Sequence, residues 1–244
     1  MSQHRFYCPD PLTIGATIVL PASAAAHAAR VLRMIAGDQA IIFNGDGLDY
    51  ACELIEVKKS TVLVKVLSST LLENESPLNI TLLQGISSGD RMDYTLQKAV
   101  ELGVMRIQPI STERSVVKLN LERAEKRLEH WQGVVASACE QSGRAKVPKV
   151  ALPVTLSQWL ANNPKQASCR ILLNPVGASR LQDMPKPAHE IQLLIGAEGG
   201  LNKHEIDTAS AHGFQSILLG PRILRTETAA LTAIASMQTL WGDF

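Results

Sequence analysis

Aromatic residues are scarce in this 244-residue chain, where phenylalanine, tryptophan and tyrosine together make up 4%. That leaves little material for stacking nucleic-acid bases on rings. Charge of one sign is missing too: 24 lysines and arginines balance 23 aspartates and glutamates, for a net charge of +1. Composition alone therefore does not describe a strongly basic nucleic-acid binder. The four cysteines, Cys8, Cys52, Cys139 and Cys169, lie 44, 87 and 30 residues apart with no C-x-x-C pair, which speaks against a disulfide or zinc framework and for free thiols in a reducing compartment. No window approaches the roughly 18 unbroken apolar residues of a membrane helix, and the opening MSQHRFYCPD has no apolar stretch of the signal-peptide kind. A cytoplasmic location is the default expectation. His4, His27, His130, His189, His204 and His212 show no ligand spacing, so no metal is expected.

What is present is 45% hydrophobic residues, enough for one large core or two ordinary ones. Residues 1–70 read as short strands at 5–8, 17–20, 40–43, 50–57 and 61–67, with Val62, Val64 and Val66 on one face at a period of two. One helix interrupts them, with Ser23 as its expected N-cap. The pattern suggests a small, mostly β barrel. Residues 68–77, polar and ending in Pro77, read as a linker, which divides the chain into domains 1–72 and 73–244.

Beyond the linker, strands expected at 79–84, 105–110, 170–173, 192–195 and 216–219 alternate with helices, the mark of an α/β domain with a largely parallel sheet. A charged helix follows residue 120, with Leu121, Ala124, Leu128, Trp131, Val135 and Ala138 spaced three or four apart as its apolar face. Residues 110–150 hold eight basic and five acidic side chains, a local surplus compatible with a basic patch. The last helix, 227–241, carries Leu231, Ile234, Gln238 and Trp241 at coiled-coil spacing among small residues, which suits packing on a helix of the same or of a second subunit.

Three segments carry chemistry. In residues 191–200, IQLLIGAEGG, an apolar strand runs into a glycine turn before a helix at about Asn202, an arrangement that brings backbone close to a ligand at a strand's carboxyl end. A tight turn without a ligand would read the same way. Residues 216–228, SILLGPRILRTET, repeat the strand, glycine turn and helix start; here Leu219, Ile223 and Leu224 can wall an apolar pocket, Arg225 can reach an anionic or carbonyl oxygen, and Thr226 can cap the helix. Helix-dipole stabilisation is the plainer role for Glu227, and a solvated loop charge for Arg222. Gly85-Ile86-Ser87-Ser88-Gly89 matches G-x-S-x-G, the form of a hydrolase's nucleophile elbow, with Asp183 and His189 or Asp207 and His212 in the right order for a triad. Against that reading, Asp90 looks like a helix cap and no HGGG-type oxyanion segment exists.

LLIGAEGG followed by LLGPRILRTETAA resembles the paired signature of the SPOUT class of S-adenosylmethionine-dependent RNA methyltransferases. More narrowly, the chain is similar to the family that methylates N3 of a uridine in 16S ribosomal RNA. HRFY at 4–7, HAARVLRM at 27–34, KAVELG at 98–103, TERSV at 112–116 and EQSGR at 140–144 agree in order. One departure is Ala197, where the family's turn usually carries proline. The resemblance implies an N-terminal PUA-like β-barrel that binds RNA and a C-terminal SPOUT α/β domain with a deep trefoil knot, of which the periodicity gives no sign. It further implies a homodimer acting on 16S rRNA, within the 30S subunit, with neither membrane nor metal.

On the same resemblance the cofactor, S-adenosyl-L-methionine, would be held by Leu173, Asn174, Gly196, Glu198, Gly199, Gly200, Leu218, Leu219, Gly220, Ile223 and Leu224. Arg225 would stabilise charge on the uracil oxygens, with Glu227 or Glu198 as base, unless those glutamates only order the loop. RNA would be met by Arg5, Arg30, Arg33, Arg114, Arg144, Lys146 and Lys149, through shape and phosphate rather than stacking. The rivals are a SPOUT enzyme with a ribose or guanine target, a noncatalytic RNA-binding module, and the hydrolase.

Overall fold

The computed structural model describes residues 4–115, 117, 120–164, 168–174 and 179–244. They fall into two compact units, one of Met1–Glu75 with Ala136–Val147, the other of Ser76–Val135 with Pro148–Phe244.

In the first unit, strands β1 (Arg5–Tyr7), β2 (Thr17–Val19), β3 (Gln39–Phe43), β4 (Leu48–Val57) and β5 (Val62–Leu71) form one sheet in the order β1-β3-β4-β5-β2. Only the β1–β3 pair is parallel. Val62, Val64 and Val66 are buried together with Phe6, Ile42 and Leu54, each such side chain stabilising the fold by about 1.5–3 kcal/mol. Two sequence expectations fail here. Residues 68–71 belong to β5 rather than to a linker, because they pair with Leu48 to Ala51 on β4; ladder hydrogen bonds override composition. Ser23 does not cap the helix, since α1 (Ala22–Ala26) starts after Pro21 without a side-chain cap, and proline's fixed φ already suits a helix start. The helix then widens into a π turn over His27–Val31, closed by the Leu32 N–H donating to the His27 carbonyl at 3.0 Å. Arg33 leaves it in the left-handed region, with φ at 54°.

The segment Ala136–Val147 joins this unit through buried charge. Arg144, 4% exposed, donates to Glu75 at 2.6 Å. The Tyr7 N–H donates to Glu140 at 2.8 Å, and burial pushes the Glu140 carboxyl above its ordinary value. Arg5 pairs with Asp49 and lies 5.0 Å over the Phe43 ring. Arg5 and Arg144, expected at an RNA surface, are thus turned inward, Arg144 fully and Arg5 partly, because each guanidinium finds a carboxylate partner there.

The second unit is a parallel sheet throughout. Its strands are β6 (Ile80–Gly85), β7 (Arg106–Ser111), β8 (Lys149–Val150), β9 (Val154–Thr155), β10 (Cys169–Leu173), β11 (Ser179–Arg180), β12 (Ile191–Ile195) and β13 (Gln215–Leu218), ordered β11-β13-β10-β12-β6-β7-β8 with β9 beside β7. The central β6 and β12 are buried at every residue, which is why both read as apolar runs without alternation. Helices α2 (Asp90–Glu101), α3 (Leu121–Ser142), α4 (Leu156–Asn162), α5 (Lys203–Ala211) and α6 (Thr226–Trp241) complete the chain. Asp90 opens α2 but its N-cap is Gly89. Leu121, expected on the apolar face of α3, is exposed, and burial on that face starts at Ala124. On α6, Ile234, Gln238 and Trp241 turn into their own unit: Gln238 donates to the Leu102 carbonyl at 2.7 Å and accepts from the Ser76 hydroxyl at 2.9 Å. Gly103 makes that approach possible, since a Cβ there would lie 2.8 Å from the Gln238 amide.

Among the described residues no helix is long and apolar enough to cross a membrane.

Removing one partner of a buried ion pair leaves the other charge uncompensated, at roughly 3–5 kcal/mol. Glu75→Ala is expected to lower unfolding stability by that order, read from the urea midpoint at unchanged slope.

Candidate functional site

The carboxyl ends of β10, β12 and β13 open onto a cavity of about 690 Å³, within the range that takes a cofactor-sized molecule. Three loops wall it: Leu173 and Asn174 after β10, residues 196–201 after β12, and the segment from Leu218 to Arg225 between β13 and α6. Ile195, Ile206 and Ile217 add apolar surface. Every residue expected to hold the cofactor lines this one cavity, and so do Arg225, Glu227 and Arg114.

The glycine turn closes on itself, the Gly200 N–H donating to the Ala197 carbonyl at 2.8 Å. Asn202 then caps α5 in a reciprocal box with Glu205. Arg114 donates to the Gly199 carbonyl at 3.2 Å, so this exposed arginine, expected to meet RNA, also braces the turn.

Beneath the turn lies the end of β6. A Cβ on Gly85 would stand 2.2 Å from the Ala197 nitrogen, closer than any side chain permits. The fully buried Gln84 donates through Nε2 to the Thr226 hydroxyl at 2.9 Å, and that hydroxyl donates to the Gly196 carbonyl at 2.6 Å. Thr226 was expected to cap α6. The N-cap is Arg225 instead, without a side-chain cap, because the threonine hydroxyl is committed to tying the two glycine loops together.

Ser87 of the G-x-S-x-G segment is buried, and its hydroxyl donates to the Gly85 carbonyl at 3.4 Å. His212, one of the histidines considered for a triad, is tied at 2.9 Å to the Thr208 carbonyl of its own helix. The elbow reading therefore fails, since its serine is neither exposed nor strained at a turn tip. Ser88 is the informative neighbour: its N–H and its hydroxyl both donate to Glu198 Oε1 at 2.8 Å, and Arg91 pairs with the same oxygen at 3.3 Å. Burial raises the Glu198 carboxyl, but hydrogen bonds from the Ser88 N–H, the Glu198 N–H, the Ser88 hydroxyl and Arg91 outweigh it, so the group titrates below its ordinary value. Of the two roles considered for Glu198, base or loop order, this geometry suits loop order.

Glu227 differs. Its Oε2 is shut off from solvent and has no hydrogen-bond partner. Arg225 is exposed at the mouth, and Ile223 beside it is 88% exposed. Among the residues expected to meet RNA, Arg30, Arg33 and Lys146 are exposed on the first unit and Lys149 on the second. Val116 of the TERSV segment lies outside the described residues. Among the described residues no three His, Cys, Asp or Glu side chains gather as metal ligands.

Sequence reasoning missed Gln84, Arg91 and the hydroxyl role of Thr226. The available signal for Gln84 was an amide side chain in the otherwise mostly apolar strand ITLLQG, and for Arg91 its place in the same GISSGDR run as Ser88.

An RNA methyltransferase domain model matches residues 74–238, and an RNA methyltransferase PUA domain model matches residues 20–67. The chain is 35% identical to the ribosomal RNA small subunit methyltransferase E of Buchnera aphidicola (subsp. Schizaphis graminum), over 98% of this chain and 97% of the relative. It is 32% identical to the protein so named in Bacillus subtilis, over 89% of each. A ribosomal RNA small subunit methyltransferase E from Neisseria gonorrhoeae, solved bound to S-adenosyl methionine, superposes with a TM-score of 0.92 at 45% identity and full coverage of both chains.

A carboxyl with a depressed pKa contributes order that is complete above the ordinary carboxylate range and is lost as pH falls through its own midpoint. An NMR titration of Glu198 is expected to give a midpoint below the ordinary value, and Ser88→Ala to move it upward; an unmoved midpoint would refute the Ser88–Glu198 hydrogen bond.

Proposed function

The chain belongs to the RNA methyltransferase family that includes the bacterial ribosomal RNA small subunit methyltransferases E, and from that premise we propose that it uses S-adenosylmethionine to methylate N3 of a uridine in 16S ribosomal RNA. The observation that carries this reading is the single cavity at the ends of β10, β12 and β13. It joins main-chain amides and carbonyls of two glycine loops to an apolar lining. An adenosyl group, apolar on its faces and hydrogen-bonding at its edge, fits such a wall.

Bound S-adenosylmethionine supplies a methyl group already activated by its sulfonium. What the protein must supply is a way to remove or offset the N3 proton, because neutral uracil is a poor nucleophile there. Arg225, at the mouth and at the N-terminus of α6, is placed to stabilise negative charge on the uracil carbonyl oxygens, aided by the helix dipole. Glu227, in the first turn of α6, carries the unpartnered oxygen and is the candidate acceptor of the proton. Glu198 holds the loop. N3 lies on the pairing edge of the base, so the target must be unpaired or flipped outward.

Finer features follow the same reading. The first unit acts as a PUA-like barrel that binds RNA through Arg30, Arg33 and Lys146. The strand order in which β13 lies between β10 and β11 is what a trefoil-knotted chain would produce. Leu240 and Phe244, exposed at the end of the chain, suit a homodimer contact. The substrate is 16S rRNA, with the assembled 30S particle as its natural setting in the cytoplasm.

Arg225→Ala is expected to bind S-adenosylmethionine within about threefold of wild type by calorimetry while losing roughly 100-fold or more in methyl transfer. Equal loss of both would move Arg225 to the adenosyl moiety. Mass spectrometry of 16S rRNA nucleosides from a strain lacking the gene should show N3-methyluridine gone; loss of an alkali-resistant methylated dinucleotide instead would assign a ribose target.

A further inference from the structure

The G-x-S-x-G segment has no hydrolytic role here, yet two of its residues meet the glycine turn, Gly85 against the Ala197 backbone and Ser88 at Glu198. We propose that residues 84–89 form a cradle that sets the position of the cofactor turn, with Gln84, Ser88 and, across the cavity floor, Thr226 as positioning residues.

Three contacts make the cradle. At the near end, the buried Gln84 amide holds the Thr226 hydroxyl, and that hydroxyl holds the Gly196 carbonyl. A hydroxyl that both accepts and donates in a dry place fixes two chain segments at once, whereas a methyl in its position would leave the Gly196 carbonyl and one Gln84 N–H without partners. In the middle, the missing side chain at Gly85 lets the Ala197 backbone settle directly on β6. At the far end, Ser88 donates twice to Glu198, from the N–H and from the hydroxyl. The turn between Gly196 and Glu198 is thereby held before any ligand arrives. A preorganised loop spares a ligand the cost of ordering it, so the cradle acts on affinity more than on the chemical step.

Both N–H groups of the Gln84 amide are used, by Thr226 and by the Gly85 carbonyl at 3.0 Å, whereas its buried Oε1 has no hydrogen-bond partner. The hydrogen bonds to the Gly196 carbonyl and the Glu198 carboxylate stiffen the turn from β6 and α6.

The inference rests on the reading of the cavity as an S-adenosylmethionine site, and calorimetry with S-adenosylmethionine separates the two. Thr226→Val is expected to weaken binding roughly tenfold, with kcat at saturating cofactor within about threefold of wild type. Thr226→Ser, which keeps the hydroxyl, should return affinity to within about twofold. In the cofactor-free protein, amide hydrogen exchange at residues 196–200 should quicken by about an order of magnitude in Thr226→Val and more modestly in Ser88→Ala. Ser88 is only half-buried, so its truncation tests the far end even where Thr226→Val folds poorly. Wild-type affinity and exchange in both variants would overturn the cradle, as would a Thr226→Ser no better than Thr226→Val. A wild-type protein that fails to bind S-adenosylmethionine would overturn the site reading and the cradle with it.

Discussion

The second unit is organised around one close approach, that of the β6 end to the turn after β12, where the backbone at Gly85 leaves no space for a side chain against Ala197. Two strands that are neighbours in the sheet, paired in register from Ile80 and Ile191 onward, continue past their last ladder bond still in contact. Because β6 and β12 are central and buried on every residue, their ends are packed on both sides. A loop pressed onto such an end is held by it, and the cavity wall is built from that loop.

Much of this was legible in the sequence, for physical reasons. Apolar runs without alternation identify strands covered on both faces, and a glycine turn directly after such a run marks the carboxyl end where an open parallel sheet leaves room. IQLLIGAEGG and SILLGPRILRTET are for that reason readable as cavity walls. The partners of polar side chains were not legible. Thr226 at a helix start reads as a cap, since local geometry is all that sequence spacing reports, but a carbonyl from residue 196 and an amide from residue 84 compete for the hydroxyl and win. Arg144 sits in a basic stretch and reads as solvated, yet Glu75, distant along the chain, takes it into the interior. Residues 68–71 look like linker because most of them are polar, and only the partner strand reveals that they are paired.

These reassignments change the electrostatic picture. A net charge of +1 hides how many cations are spent internally: Arg5 and Arg144 neutralise Asp49 and Glu75, and Arg170 is buried against Gln192, Trp159 and Phe214 with its pKa lowered by desolvation. The arginines and lysines left on the surface are fewer than the count suggests. Their contribution to meeting a phosphate backbone scales with contacts made, not with composition.

The order of strands sets a condition on how the protein comes into being. β13 lies between β10 and β11, both of which precede it in the chain, so the sheet stays incomplete until residues 215–218 have been synthesised. Domains generally fold as units while synthesis proceeds from the N-terminus. The first unit's sheet uses strands ending at Leu71 and can form early, although the segment Ala136–Val147 joins it only later. The second sheet, and with it the cavity, can be completed only once residues 215–218 have left the ribosome.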